Sequence, residues 1–130
     1  MHDDLTGVWF GEYAYPVDQP PVSFIANIDE RDGSISGRVD EPNTNGMPFT
    51  DRLFAHLSGT RQDDYVLLTK TYDGTGGVTH SVTYTGQVNA TGDLIEGIWR
   101  TGGWSGRFAM SRPQVGNEEK AVSEREKAGA

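Results

Sequence analysis

Five short segments repeat one pattern, in which a glycine sits inside an otherwise strand-like run. They are Ile35-Ser36-Gly37-Arg38-Val39, Leu57-Ser58-Gly59, Tyr84-Thr85-Gly86-Gln87-Val88, Ile95-Glu96-Gly97-Ile98-Trp99 and Trp104-Ser105-Gly106-Arg107-Phe108. Glycine weakens a flat strand, so its repeated use there demands a reason. Sharp bending of every strand, as a small closed barrel requires, supplies that reason. Turn signals fall between the segments at Arg31-Asp32-Gly33, Gln62-Asp63-Asp64, Asp73-Gly74-Thr75-Gly76-Gly77, Asn89-Ala90-Thr91-Gly92-Asp93 and Gly102-Gly103. The stretches so bounded are rich in β-branched and aromatic residues of alternating polarity. They predict eight strands over 5–15, 22–30, 34–40, 51–60, 65–72, 78–88, 94–101 and 104–111. Nothing before Arg112 keeps a helical apolar period. The predicted fold is all-β, an eight-stranded antiparallel up-and-down barrel over 1–112, which leaves no open sheet edge. Residues 113–130 open on Pro113, are almost wholly charged or small, and read as a disordered or weakly helical charged tail.

Charge narrows the partners. Of 11 basic and 19 acidic residues, 8 and 15 lie at or before Arg112, so the barrel itself carries −7. Such a body repels phosphate backbones, which argues against a nucleic-acid partner. With no cysteine there is no disulfide, thiolate metal site or cysteine nucleophile. No apolar run is long enough for a membrane helix. Met1-His2-Asp3-Asp4 has neither basic nor apolar leader character, so the expected location is cytoplasmic, as a monomer or homodimer. His2 and His56 stand alone, and no metal or cofactor is expected. Asn89-Ala90-Thr91 fits a glycosylation sequon but reads as a turn.

Hairpin arithmetic assigns the faces. A two-residue turn at Gly102-Gly103 sets Thr101 opposite Trp104, Trp99 opposite Gly106, Gly97 opposite Phe108 and Ile95 opposite Met110. That apolar face must point inward, leaving Glu96, Arg100, Ser105 and Arg107 in water with Ile98. A four-residue loop at 89–92 then sets Val82 opposite Trp99 and His80 opposite Thr101. A loop at 73–77 sets Tyr72 opposite Val78 and Lys70 opposite His80. One residue fewer in that loop would turn Lys70 outward. Loops 16–21, 41–50, 73–77 and 102–103 gather at one end, and the two longest among them mark it as the open mouth.

Gly7-Val8-Trp9 on the first strand, with Arg112 ending the last, resembles the G-x-W and stacked-cation pair of lipocalins and related calycin barrels. The resemblance implies a calycin-like barrel closed at that end by Trp9 under Arg112. Gly7-Val8-Trp9-Phe10, Asp32-Gly33-Ser34-Ile35-Ser36-Gly37 and Trp104-Ser105-Gly106 are similar to avidin segments. The biotin pattern is not retained, since Gly11 and Val39 stand where avidins carry Asn and Tyr. The early Gly7-x-Trp9-x-Gly11 with Tyr15-Pro16 also resembles nitrobindins, without a counterpart to their haem-ligand segment.

The candidate site is the inward polar group near the mouth: Lys70, Tyr72, His80, Tyr84, Thr101 and Trp104, with Tyr13. A buried lysine is a base, a nucleophile or an anion partner, and histidine titrates near neutrality. No catalytic residue is assigned. The leading expectation is a module binding an apolar or aromatic small molecule, anionic if Lys70 is its partner. A ligand-free assembly domain and an isomerase or cyclase using Lys70, His80 and Tyr84 are the alternatives. Fold alone does not choose among them.

Overall fold

The computed structural model describes residues 4–43 and 51–113. Its strands are β1 (Gly7–Ala14), β2 (Val22–Arg31), β3 (Ser34–Pro42), β4 (Arg52–Gln62), β5 (Tyr65–Tyr72), β6 (Ser81–Val88), β7 (Leu94–Thr101) and β8 (Trp104–Ser111). Each pairs antiparallel with its neighbours in sequence, and β1 pairs with β8, which closes the barrel. Among the described residues no helix is long and apolar enough to cross a membrane. The expected tail beyond Pro113 and residues 44–50 of the expected 41–50 loop lie outside the described residues.

The β7–β8 register matches the hairpin arithmetic pair for pair, from Thr101 against Trp104 to Ile95 against Met110. Two other registers differ by two residues. Lys70 faces Val82 rather than His80, and Tyr84 rather than Val82 faces Trp99. Longer turns account for both shifts. After β5 the Asp73 carboxylate caps the Thr75 N–H at 2.9 Å and starts a 3₁₀ turn, Thr75–Gly77. Gly74, Gly76 and Gly77 take positive φ there, so β6 starts at Ser81 instead of 78. Between β6 and β7 the Asn89 Oδ1 accepts the N–H groups of Asp93 and Leu94, at 3.0 and 3.1 Å. That wrap lengthens the loop beyond four residues, and it gives Asn89 a structural task. Because each shift is even, the inward and outward faces survive.

Several strand glycines sit where walls touch. A Cβ at Gly97 would strike the Thr85 carbonyl oxygen and the Gly86 Cα. Gly59 likewise presses on the Leu67 carbonyl. The constraint is backbone against backbone, as tight coiling of neighbouring strands requires.

One end is sealed. Trp9 is fully buried and donates its indole N–H to the Leu5 carbonyl at 2.8 Å. The Arg112 guanidinium lies 4.7 Å from the Trp9 ring centre. It also donates to the carbonyls of Asp4 at 2.7 Å, Thr6 at 3.0 Å and Gly92 at 3.1 Å. Leu5 therefore leaves the first strand, which begins at Gly7, and plugs the bottom.

Candidate functional site at the open end

Alternation along β3 carries Ile35 and Val39 inward, and two residues further it carries Glu41 inward as well. Tyr13 near the end of β1, Lys70 and Tyr72 on β5, and Tyr84 on β6 arrive from the other walls by the same rule. Glu41 and Lys70 are 1% and 2% exposed, the two charged residues of the core among the described residues. The Lys70 Nζ donates to Glu41 Oε1 at 2.8 Å. Tyr72 donates to the same oxygen at 2.9 Å, and Tyr13 donates to Oε2 at 2.5 Å. The ammonium also lies 4.8, 4.6 and 5.4 Å from the ring centres of Tyr13, Tyr72 and Tyr84. An ammonium among three π faces and a carboxylate is partly compensated for its lost water. Among the described residues no buried side-chain polar atom lacks a partner.

Burial dominates the proton affinities. It raises the phenol pKa values of Tyr13 and Tyr72 far above 10.0, with the Glu41 charge adding to the effect. Tyr84 is raised well above 10.0 by burial first, then by Tyr72 and Glu41. Burial lowers the Lys70 pKa from 10.5, opposed by the attraction of Glu41.

Above this cluster lies an aromatic rim. The Tyr15 ring meets Tyr13 at 5.8 Å and Trp99 at 5.5 Å, both edge-on. The Trp99 indole N–H is anchored on the Ala14 carbonyl at 2.9 Å. The His80 ring packs 4.8 Å from that of Tyr72.

The expected site residues therefore divide. Tyr13, Lys70, Tyr72 and Tyr84 converge inside the barrel as expected. His80 does not face Lys70: it precedes β6, is exposed and touches only the outer side of the cluster through Tyr72. Trp104 does not point into the barrel; it is 56% exposed, because its strand has only just begun at the rim. Thr101 is half-buried and donates its hydroxyl to the Ser81 carbonyl at 2.8 Å. Glu41 was missed. Its signal was the period of two running past Val39, overridden by assigning 41–50 to a loop.

Beneath the cluster the interior is nearly full. A void of about 20 Å³ remains, lined by Lys70, Tyr84 and apolar side chains including Phe24, Leu68 and Phe108. On the outer wall a groove of about 600 Å³ runs over β4 to β7, past Tyr65, Leu67, Gln87 and Ile98. No group of three or more metal-ligating side chains occurs among the described residues.

No protein-family model matches the chain. No curated protein matches it either. Among solved structures it is similar to a redesigned β-barrel, with a TM-score of 0.68 and 13% identity over 85% of this chain and 92% of that one. At that identity the likeness establishes the barrel fold.

Proposed function

We propose that this barrel is a calycin-like binding module that holds a small apolar or aromatic molecule across its open end. One observation carries the reading: the aromatic rings of Tyr13, Tyr15, Tyr72, His80 and Trp99 cluster at one end of the barrel. Tyr15 and His80 offer ring surface above the buried rings of Tyr13, Tyr72 and Trp99 and a polar floor, a composition that suits a small-molecule site. Tyr13, Lys70, Tyr72, Tyr84 and Thr101 are its proposed inner contacts, and His80 and Trp104 its rim contacts. The small inner void favours a ligand laid in the mouth over one swallowed by the barrel. The isomerase or cyclase reading has less support, since Lys70 lies opposite Val82 and not His80. The test is titration of the protein with indole, following the Trp99 indole N–H and His80 ring signals by NMR. Saturable shifts confined to these residues are expected. Unchanged spectra at millimolar indole would overturn the reading.

The assembly-domain alternative has its own support in the outer groove, where Tyr65 is 65%, Leu67 50% and Ile98 43% exposed. Exposed apolar clusters of this kind are common at interaction surfaces. Sedimentation of the protein and of Leu67→Lys tests it: a concentration-dependent dimer abolished by the substitution is the outcome this alternative requires.

A further inference from the structure

The donors around Glu41 have the form of a receptor. Lys70 Nζ and Tyr72 OH point at one carboxylate oxygen and Tyr13 OH at the other, from 2.5 to 2.9 Å. They come from β1 and β5, whereas the carboxylate comes from β3. Three converging donors, one of them cationic, bind a planar two-oxygen anion with charge-assisted hydrogen bonds. Glu41 is the penultimate residue of its strand, where the wall meets the mouth. Lys70, by contrast, faces Leu57 and Val82, deeper in the wall. The Glu41 backbone thus lies nearer the mouth than that of Lys70, although both side chains are buried.

We propose that Tyr13, Lys70 and Tyr72 form a carboxylate-binding site, that Glu41 is its intramolecular occupant, and that the barrel takes up small carboxylic acids by exchange with Glu41. A ligand carboxylate would accept the same three hydrogen bonds. Its apolar or aromatic tail would extend toward Tyr15 and Trp99, while the Glu41 side chain turns to water at the mouth. Occupancy by Glu41 makes the site self-closing. A ligand binds only to the extent that its tail contacts exceed those of a carboxylate already tethered in place. The open-end reading above is the premise for the tail, but not for the three donors.

The test uses the full chain with Glu41→Ala, which removes the occupant and leaves the donors. Sodium propionate carries the carboxylate and both stem carbons of a glutamate side chain, one carbon more than the substitution removes. It should raise the melting temperature of Glu41→Ala by several degrees beyond equal sodium chloride, and bind it at least tenfold more tightly than wild type. The doubly substituted Lys70→Met, Glu41→Ala chain should lose this response, and propionamide should not elicit it. If Glu41→Ala is unfolded in buffer, propionate must restore its folded circular-dichroism spectrum. No propionate-specific gain, no such restoration, or an equal gain without Lys70 would overturn the site. Wild-type titrations with 3-phenylpropionate and 3-phenylpropionamide separate this from the mouth reading. Equal Trp99 shifts from both would leave the mouth reading standing and sink the carboxylate exchange. Propionate rescue of Glu41→Ala with no Trp99 shift from either would keep the receptor and sink the mouth.

Discussion

The two ends of this barrel each hold a cation against aromatic rings, and they do so for different reasons. At the sealed end Arg112 lies over Trp9 and spends its donors on backbone carbonyls of Asp4, Thr6 and Gly92. Those carbonyls belong to chain ends and turns that have no ladder partner, so the guanidinium completes the hydrogen bonding of the fold. At the open end Lys70 lies among Tyr13, Tyr72 and Tyr84 and spends its charge on one carboxylate, Glu41. That contact joins two side chains and no backbone group. A leucine or methionine of similar volume would fill the same space without desolvating two ions. The sealed end is therefore explained by folding alone. The open end is polar beyond what folding requires, and that excess is the reason to place function there.

The largest expected effect sharpens this contrast. Removing one partner of the Lys70–Glu41 pair, as in Lys70→Met, should cost about 3–5 kcal/mol by stranding a buried charge. Replacing both, as Lys70→Met with Glu41→Leu, and also the two phenols that donate to Glu41, as Tyr13→Phe with Tyr72→Phe, should return the protein to within about 1 kcal/mol of wild type or above it. Urea denaturation of the wild type, the single and the fourfold variant checks this. If the fourfold substitution were as unstable as the single one, the polar cluster would be holding the fold together and the contrast between the ends would fail.

Next in size is the alkaline limb of stability. Tyr13 and Tyr72 have pKa values raised above 10.0 by burial and by Glu41. Above that pH the unfolded chain loses phenolic protons that the folded chain keeps. Stability must then fall as pH rises. Lys70, lowered from 10.5, acts with the opposite sign: below 10.5 the unfolded chain binds more protons at this site, so stability rises with pH there. The fall should therefore set in above about pH 10. Tyr13→Phe should lessen its slope by about half a proton at pH 10 and by nearly one proton, about 1.4 kcal/mol per pH unit, toward pH 11, whatever it costs at neutral pH. Denaturation midpoints between pH 9 and 11 measure the slope. An unchanged slope would show that Tyr13 is not buried beside Glu41.

The sealed end should respond more mildly. Arg112→Ala removes the stack on Trp9 and three carbonyl contacts that are mostly open to water, for a loss of about 1–2 kcal/mol. Arg112→Lys keeps a charge but not the planar fork, and should recover less than half of that. Equal stability of Arg112→Lys and wild type would mean that charge alone closes this end.

How much of this could be read from the sequence follows from what fixes parity and what fixes register. Turn residues and alternation placed all eight strands and sorted Lys70, Tyr72 and Tyr84 inward, because an even slip leaves faces intact. Which residue met which depended on loop lengths. Those were set by side-chain wraps at Asp73 and Asn89 that turn statistics do not count. The supposed Lys70–His80 pair was lost in that way. Glu41 was hidden by its company: Pro42 and the Asn and Gly residues after it read as loop, although the strand runs through Glu41 to Pro42.

Trp104 gives the smallest expected effect and the cleanest division between fold and function. By parity it belongs to the inner face, opposite Thr101 in the last pair before the Gly102-Gly103 turn. The wall ends there, so no neighbouring strand rises beyond it to cover the indole, which stays 56% exposed. Folding gains little from such a side chain, and Trp104→Ser should change stability by less than about 0.5 kcal/mol. Trp9, of the same residue type but fully buried at the sealed end, has no such freedom. A rim indole that a bound ring stacks on should still matter for binding, at about 0.5–1.5 kcal/mol, or a two- to tenfold loss of affinity for indole. Melting temperature and indole affinity measured on the same variant separate the two roles. Unchanged stability with weakened binding places Trp104 in the mouth site. Unchanged values of both would draw the site inward to Trp99 and Tyr15, and a marked loss of stability would show that the rim is packed more tightly than its exposure implies.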